Sequence, residues 1–547
     1  MKRFFKVFLW AHVLLLLVAL GMIAYVQHAY KYYANNSLTF EVEPAYQLDT
    51  LPDGRRTYGP NWYRENEWGL AEVYVQGDAL QRGDAIGALT QKQIRHQEEV
   101  FVQEIKKIIP SDFYLNIIHA LVRHFNRKLE SNVPEEYLRE IYALSQYAAE
   151  GYEDIGARYH RILNYHSAHD VGHALQSYML VGCTSFAVRG EQSADGRLLL
   201  GRNFDFYVGD AFARDKIVLI EKPDQGHKFI SITWGGMIGV LSGMNEKGLT
   251  VSLNAAESDI PTVSKTPISI IARDILQYAS NIEEAYDIAQ RHQAFVSESL
   301  LIGSAEDGAA ALIEISPQDI DLVRMEGNSL VSTNFFQGNK LGDNPHNIAF
   351  RDNGSTLYRH HRVEELIAAA GPMDVEYAAA VLRNTRGLKG RDIGYGNEKS
   401  INQLIAHHGV IFQPEQKTVL FSTAPFQLGA FVAYPLDSIQ AYQREGELFL
   451  SEERIGRDAF ADSQALQDYL EFKQLKFSHP DLSDLSLREH FIALNPNSYE
   501  PYMLIGDYLF EAGQKEEARQ YYQLSLQREL ENKYIEKHIK ERLKAHE

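Results

Sequence analysis

The sequence predicts an α+β protein of layered architecture, and three observations carry that reading. From Cys183 to about Tyr434 short β-rich runs follow one another, among them "KFISITW", "GLTVSLN", "AALIEI" and "TVLFS". Two helical segments, near residues 268–292 and 358–383, interrupt them, which suits strands and helices packed as layers rather than a strict βαβ alternation. Helical periodicity dominates on both sides of this block. At 547 residues the chain is long enough for several domains, and its composition is that of an ordinary globular protein.

Residues 1–30 open with Lys2, Arg3 and Lys6, followed by an apolar run from Val7 to Val26 interrupted only by His12. A run of about 20 residues can cross a hydrocarbon core of about 30 Å. It is longer than a signal-peptide core and lacks a small-x-small cleavage site, so a retained signal anchor is expected. The basic flank would stay in the cytoplasm and the rest would be exported, into the periplasm in a bacterium. Residues 31–68 are polar and turn-rich and read as a linker leaving the membrane. From Gly69 to about Leu180 the pattern is mostly helical, as in "DALQRGDAIGALTQKQIRHQEEVFVQEIKKII" and "PEEYLREIYALSQYAAEGYEDIGARY". The texture changes at Gly182. After about Asp437 the chain is helical and charged to its end. There "EPYMLIGDYLFEAGQKEEARQYYQLSL" fits a tetratricopeptide pattern, with Tyr502, Ile505, Gly506, Gly513, Ala518, Tyr522 and Ser525 at the large and small positions. One repeat cannot stand alone as a solenoid, so it is expected to dock on the main domain rather than form a groove for a protein partner. The expected division is therefore 1–30 (anchor), 31–182 (linker and N-terminal segment), 183–440 (catalytic domain) and 441–547 (helical region).

Acidic residues outnumber basic ones by 73 to 54, a formal charge of −19. That balance repels phosphate backbones and argues against nucleic-acid binding.

Cys183 is the only cysteine. It stands in "GCTSFAVRGEQSADGRLLLGRNFDF", where two strand-like runs flank an Asp-Gly turn signal. Folding this hairpin about residues 193–196 puts Cys183 roughly opposite Asp205 and Phe206, with Arg202 a few residues back along the partner strand. Local geometry thus gathers a thiol, a guanidinium and a carboxylate. Nearby positive charge lowers a thiol's pKa, and the thiolate is the nucleophile. An inert buried cysteine beside a structural Arg–Asp pair would carry the same residues.

Gly182-Cys183-Thr184-Ser185-Phe186, followed by Gly201-Arg202-Asn203-Phe204-Asp205, resembles the N-terminal-nucleophile cysteine hydrolases, which include penicillin V acylase, choloylglycine hydrolase and acid ceramidase. The likeness is greatest to the acyl-CoA:6-aminopenicillanic acid acyltransferase family, whose Gly-Cys junction also lies behind a long N-terminal segment. "GVLSGMNEKGLTVSLNAAES", "LIGSAEDGAAALIEISP", "VSTNFFQ" and "SINQLIAHHGVIFQPEQKTVLFS" match in order, and the resemblance covers roughly residues 69–434.

The resemblance implies a four-layer αββα fold and an inactive precursor that cuts itself between Gly182 and Cys183. The freed α-amino group of Cys183, with an ordinary pKa of about 7.7–8.0, would then serve as base to its own thiol. By the same resemblance Arg202 lies near the thiol and the substrate carbonyl, and Asp205 orients the new ammonium. Asn254 donates to the oxyanion, and Asn334 positions the nucleophile's surroundings. A further arginine belongs late in such a site; Arg359, Arg362, Arg386 and Arg391 are all candidates, and none stands in a deciding motif. No cofactor is implied.

The expected function is hydrolysis of a linear amide of an N-acylated small molecule or lipid through an acyl-thioester on Cys183. Two alternatives stand beside it: acyl transfer from a thioester donor to an amine, and an inactive envelope scaffold that binds through the tetratricopeptide-like tail. "HSAHDVGH" places His169 and His173 four apart, a zinc-like spacing, with His166 and Asp170 nearby. It lies just before the junction and lacks a glutamate base after the first histidine, so bracing of the cleavage site is expected and no metal. "AHHG" at 406–409 is ambiguous in the same way. "GGMIG" is a turn between strands, since no Lys-Ser/Thr follows it.

Overall fold

The computed structural model describes residues 38–442 and 451–545, except 154, 168, 169, 171–179, 208, 258–263, 295 and 406, together with nine residues between 17 and 28. The expected anchor, residues 1–30, falls largely outside the described residues. Among those described, no helix is long and apolar enough to cross a membrane.

Two sheets face each other. The larger has eleven strands and runs in space from Leu48–Thr50 through Arg56–Tyr58, Asn61–Glu65 and Ala71–Gly77 to Ile217–Pro223. It continues through Phe229–Thr233, Ser242–Asn245, Leu249–Ala255, Glu298–Ser304 and Ala309–Ile315 to Ile320–Arg324. Every pairing is antiparallel except Ala71–Gly77 against Ile217–Pro223. The second sheet has seven strands, in the order Ser329–Ser332, Thr184–Val188, Leu199–Phe204, His408–Gln413, Thr418–Ser422, Phe431–Pro435 and Glu452–Ile455. Leu200, Val410, Phe412 and Phe421 of the second sheet interlock with Val218, Ile230, Leu301 and Leu312 of the first to form the inter-sheet core.

Helices cover the two outer faces. Ile268–Tyr278 and Ile282–Arg291 pack on the larger sheet, as do Ala79–Ile108 and Glu135–Ser145. Thr356–Ala369 and Val375–Leu382 cover the smaller one. The strands read as near-continuous apolar runs because both faces of each sheet are buried. The order helix, sheet, sheet, helix is the α+β layering that the resemblance implied.

Asp78 opens helix Ala79–Ile108 with a reciprocal capping box to Gln81. Gly83 lets this helix approach Glu135–Ser145, because a Cβ there would stand 2.1 Å from the Glu140 carbonyl oxygen.

Two expectations are corrected. Residues 31–68 are not simply a linker, since three strands of the larger sheet lie between 48 and 65, and Ala71–Gly77 follows as a fourth in a stretch read as helical. The first three are short, and the outermost is fully exposed, so their polar content hides them. The smaller sheet also extends past residue 440, ending in Glu452–Ile455.

The C-terminal helices Gln464–Phe477, Leu485–Ala493, Glu500–Glu511, Lys515–Ser525 and Lys533–Lys544 enclose their own core, which includes Leu404 and Leu428 of the main body. Within the repeat-like pair, Gly506 faces the buried Tyr522 ring, where a Cβ would come within 2.8 Å. Asn495 clasps Tyr395 through both backbone groups, and Lys399 pairs with Glu529 at 2.6 Å.

Candidate active site

Cys183 leads into strand Thr184–Val188, the neighbour of edge strand Ser329–Ser332 in the smaller sheet, and is 1 % exposed. The hairpin register is Thr184 opposite Asn203 and Ser185 opposite Arg202. Asp205 therefore lies opposite Gly182, whose N–H donates to the Asp205 carbonyl at 3.1 Å, and Phe206 lies opposite Val181. The sequence placed Asp205 and Phe206 about one residue further along. Gly201 is required because the Phe186 ring crosses it; a Cβ would meet the ring at 2.4 Å.

Arg202 donates to the Cys183 Sγ at 3.8 Å, to Ser242 Oγ at 2.6 Å and to the Leu253 carbonyl. It also reaches His408 Nε2 at 3.2 Å. Ser242 Oγ lies 2.9 Å from the same nitrogen, and His408 Nδ1 lies 2.8 Å from His407 Nδ1. Burial, His407 and the nearby cations hold His408 well below the usual imidazole range. Neutral His408 thus accepts at Nε2 and carries its proton on Nδ1. Burial pushes the Cys183 thiol up, with the Arg202 guanidinium pulling the other way.

The Asp205 carboxyl is fully buried, and neither oxygen has a hydrogen-bond partner among the described residues. Burial pushes it up to about 8, partly offset by Arg359 and Arg202. The folded, continuous chain therefore holds a proton here that an unfolded carboxyl releases near pH 4. Stability must then fall as pH rises from about 4 to about 8, by roughly 1 kcal/mol per pH unit at the steepest. In chains kept continuous by Cys183→Ala, urea midpoints at several pH values should show this slope lessened by Asp205→Asn. Equal slopes in the two chains would refute it.

Asn334 accepts from Arg359 at 2.8 Å through Oδ1 and donates to the Ala255 carbonyl at 2.9 Å. The Asn254 amide donates to Ser185 Oγ at 2.6 Å and to Ser332 at 3.1 and 3.2 Å, while its Oδ1 has no partner among the described residues. An amide hydrogen offered to an oxyanion would have to leave one of these acceptors.

Of the four arginines left open by the sequence, the fold brings Arg359 to Cys183. Arg359, on helix Thr356–Ala369, donates to the Cys183 carbonyl at 2.6 Å and to Thr184 Oγ1 at 2.9 Å. Arg362 pairs instead with Glu365, Arg386 with Asp392 and Arg391 with Glu529. The sequence also missed Glu298, whose buried carboxyl is pushed well above its usual range by burial and by Asp170, with Arg202 opposing. Its only signal is a glutamate opening the fully buried strand Glu298–Ser304.

Asp170 accepts from the Ile268 N–H at 3.1 Å and so caps the helix beginning there. His166 accepts from the Ile238 N–H at 3.0 Å through Nε2. His169 and His173 lie outside the described residues, and among the described residues no group of three or more potential ligands could hold a metal ion.

Phe101, Tyr165, Phe206, Phe212, Trp234 and Met237 line a narrow cleft whose lining does not include Cys183. Cys183 shares one apolar cluster with four of them, Phe206, Phe212, Trp234 and Met237.

Arg202, Asp205, Asn254, Asn334 and Arg359, though not the thiol, fall within one stretch of chain that is similar to a known family. Residues 191–402 match the family model of acyl-coenzyme A:6-aminopenicillanic acid acyl-transferase. This segment begins eight residues past Cys183 and is similar to that family. An uncharacterized protein of Archaeoglobus fulgidus is 23 % identical over 261 residues, 45 % of this chain and 43 % of the other. The N-acylethanolamine-hydrolyzing acid amidase of Caenorhabditis elegans is 25 % identical over 177 residues, 30 % of this chain and 49 % of the other. Among solved structures, the conjugated bile acid hydrolase of Clostridium perfringens is 13 % identical, with a TM-score of 0.31, over 49 % of this chain and 99 % of that one. The chain spans about half the length of the curated relatives it matches.

Proposed function

We propose that this chain is a self-cleaving cysteine amidohydrolase that acts on N-acylated small molecules or lipid amides. The observation that carries the reading is Asp205, a buried carboxyl without a donor among the described residues, set opposite Gly182 at the junction to be cut. Leaving such a group unsatisfied is costly. Cleavage before Cys183 would create an α-ammonium beside it and supply the missing donor.

In the mature enzyme the α-amine of Cys183 takes the thiol proton, and Arg202 favours the thiolate. Sulfur attacks the amide carbon and forms an acyl-thioester, while the amine leaves with the proton. Water then attacks the thioester, releases the acid and returns the thiol. Arg359, itself bonded to Asn334, holds the Cys183 carbonyl, and Asn254 is the oxyanion donor of this reading. The name of the matching family favours a second reading, in which an amine rather than water resolves the same thioester; competing amines added to the assay separate the two.

We further propose that residues 1–30 anchor the chain, with the catalytic region outside the cytoplasm. Intact-mass analysis of protein extracted from the membrane fraction tests both ideas. The wild type should appear as two chains split before Cys183, and Cys183→Ala as one. A continuous wild-type chain refutes self-cleavage, and protein found wholly outside the membrane fraction refutes the anchor.

A further inference from the structure

The oxygen of the bond to be cut has its own donor. Gln403 Nε2 donates to the Gly182 carbonyl at 2.9 Å, and Gln403 is 3 % exposed. Its amide packs so closely that a Cβ on Gly182 would stand 2.2 Å from Nε2. The next carbonyl, that of Cys183, is held separately by Arg359. Two adjacent peptide oxygens on either side of the nucleophile thus have different donors from different parts of the chain.

The loop carrying Gln403 is fixed on both sides. Asn402 donates through its side chain to the Phe426 carbonyl at 3.0 Å and through its backbone N–H to the Asn384 carbonyl at 2.9 Å. Leu404 adopts a left-handed φ of 57°, a conformation that side chains rarely hold unless their surroundings impose it. Its side chain is fully buried with Leu428 and, from the C-terminal helices, Tyr469, Phe472 and Met503.

We propose that Gln403 is the oxyanion donor of the maturation cleavage, held in place by the C-terminal helices through Leu404. The inference rests on the self-cleavage reading. Cys183 sulfur bonds to the Gly182 carbonyl carbon, and the carbonyl π electrons move to oxygen, where Gln403 Nε2–H stabilises the charge. When the intermediate collapses, the C–N bond breaks and the Cys183 nitrogen takes the proton that the thiol gave up. The Gly182 thioester is then hydrolysed by water, which leaves a C-terminal carboxylate on Gly182 and a free thiol on Cys183. In this scheme Gly182 has no side chain because the donor occupies that space.

Newly translated full-length chain, moved to buffers from pH 5 to pH 8 and followed by time-resolved intact mass, tests the proposal. Gln403→Met fills the space without a donor and should slow cleavage about 100-fold, with a melting temperature near the wild type. Gln403→Glu donates only while its carboxyl is protonated, so its rate relative to wild type should fall by about tenfold or more from pH 5 to pH 7. A merely structural role would leave that ratio flat. Cleavage of Gln403→Met at close to the wild-type rate, or a flat ratio for Gln403→Glu, overturns the proposal even if the Met variant folds poorly. A wild-type chain that never splits overturns the underlying reading instead.

Discussion

Arg359→Met should lower turnover of a chromogenic N-acyl amide by about 10²–10³-fold in kcat/KM, which is roughly 3–4 kcal/mol of transition-state stabilisation. Arg359 is 2 % exposed, and its guanidinium holds three acceptors at once: the Cys183 carbonyl, Thr184 Oγ1 and Asn334 Oδ1. A methionine fills much of the volume and satisfies none of them. It also removes the larger of the two cationic influences that hold the Asp205 carboxyl down. In the mature enzyme that carboxyl must be ionised to orient the Cys183 ammonium. Its pKa would rise further, and the residual rate should therefore shift its rising limb to higher pH. Arg359→Lys keeps the charge but loses the fork, and should recover the pH profile better than the rate. Initial rates of the processed variants across pH 5 to 9 check this. A Met variant within threefold of wild type, with an unshifted profile, would remove Arg359 from the mechanism.

What the sequence made legible follows from distance along the chain. Cys183, Arg202 and Asp205 belong to one hairpin whose Asp-Gly turn announces itself, so their meeting could be read locally. The one-residue offset came from the turn, where Gly190–Gln192 adds a 3-10 turn before the bend at Gly196. Arg359 and Gln403 were not legible, because they contact the junction across 176 and 221 residues. In "STLYRHHRVEEL" a buried arginine looks like any other basic residue of a helix, and only the packing of that helix on strand Thr184–Val188 distinguishes Arg359 from Arg362. Gln403 sits in a loop with no periodicity at all. The layered α+β fold was readable from the buried strand runs, whereas the first three N-terminal strands were masked by their short length and exposed edge.

Those N-terminal strands lead to the second large effect. Arg273→Met, made in the continuous Cys183→Ala chain, should cost about 3–5 kcal/mol in urea unfolding. Arg273 is fully buried and meets Glu221 at 2.6 and 2.8 Å and Glu140 at 3.3 Å. Arg82 completes the group, with Glu140 at 2.7 Å and Glu221 at 3.4 Å. Arg82 and Glu140 precede the proposed cut, and Glu221 and Arg273 follow it, so two arginines and two glutamates join the segments that self-cleavage would separate. Attraction between buried ions only roughly offsets their lost hydration, so the intact network adds little net stability. Removing one arginine is different, because it leaves Glu221 beside the Glu140 carboxyl with only the longer contact to Arg82 as a cationic partner. Glu221→Gln in the same background should therefore restore part of the loss, and the double-mutant coupling should exceed 1 kcal/mol. In the otherwise wild-type protein, the Arg273→Met chains should separate after cleavage on size-exclusion chromatography while the wild-type chains stay together. The parallel pairing of Ala71–Gly77 with Ile217–Pro223 resists that separation too. A loss below about 1 kcal/mol, with no coupling to Glu221, would mean that the sheet alone joins the two segments and that the buried charges do not.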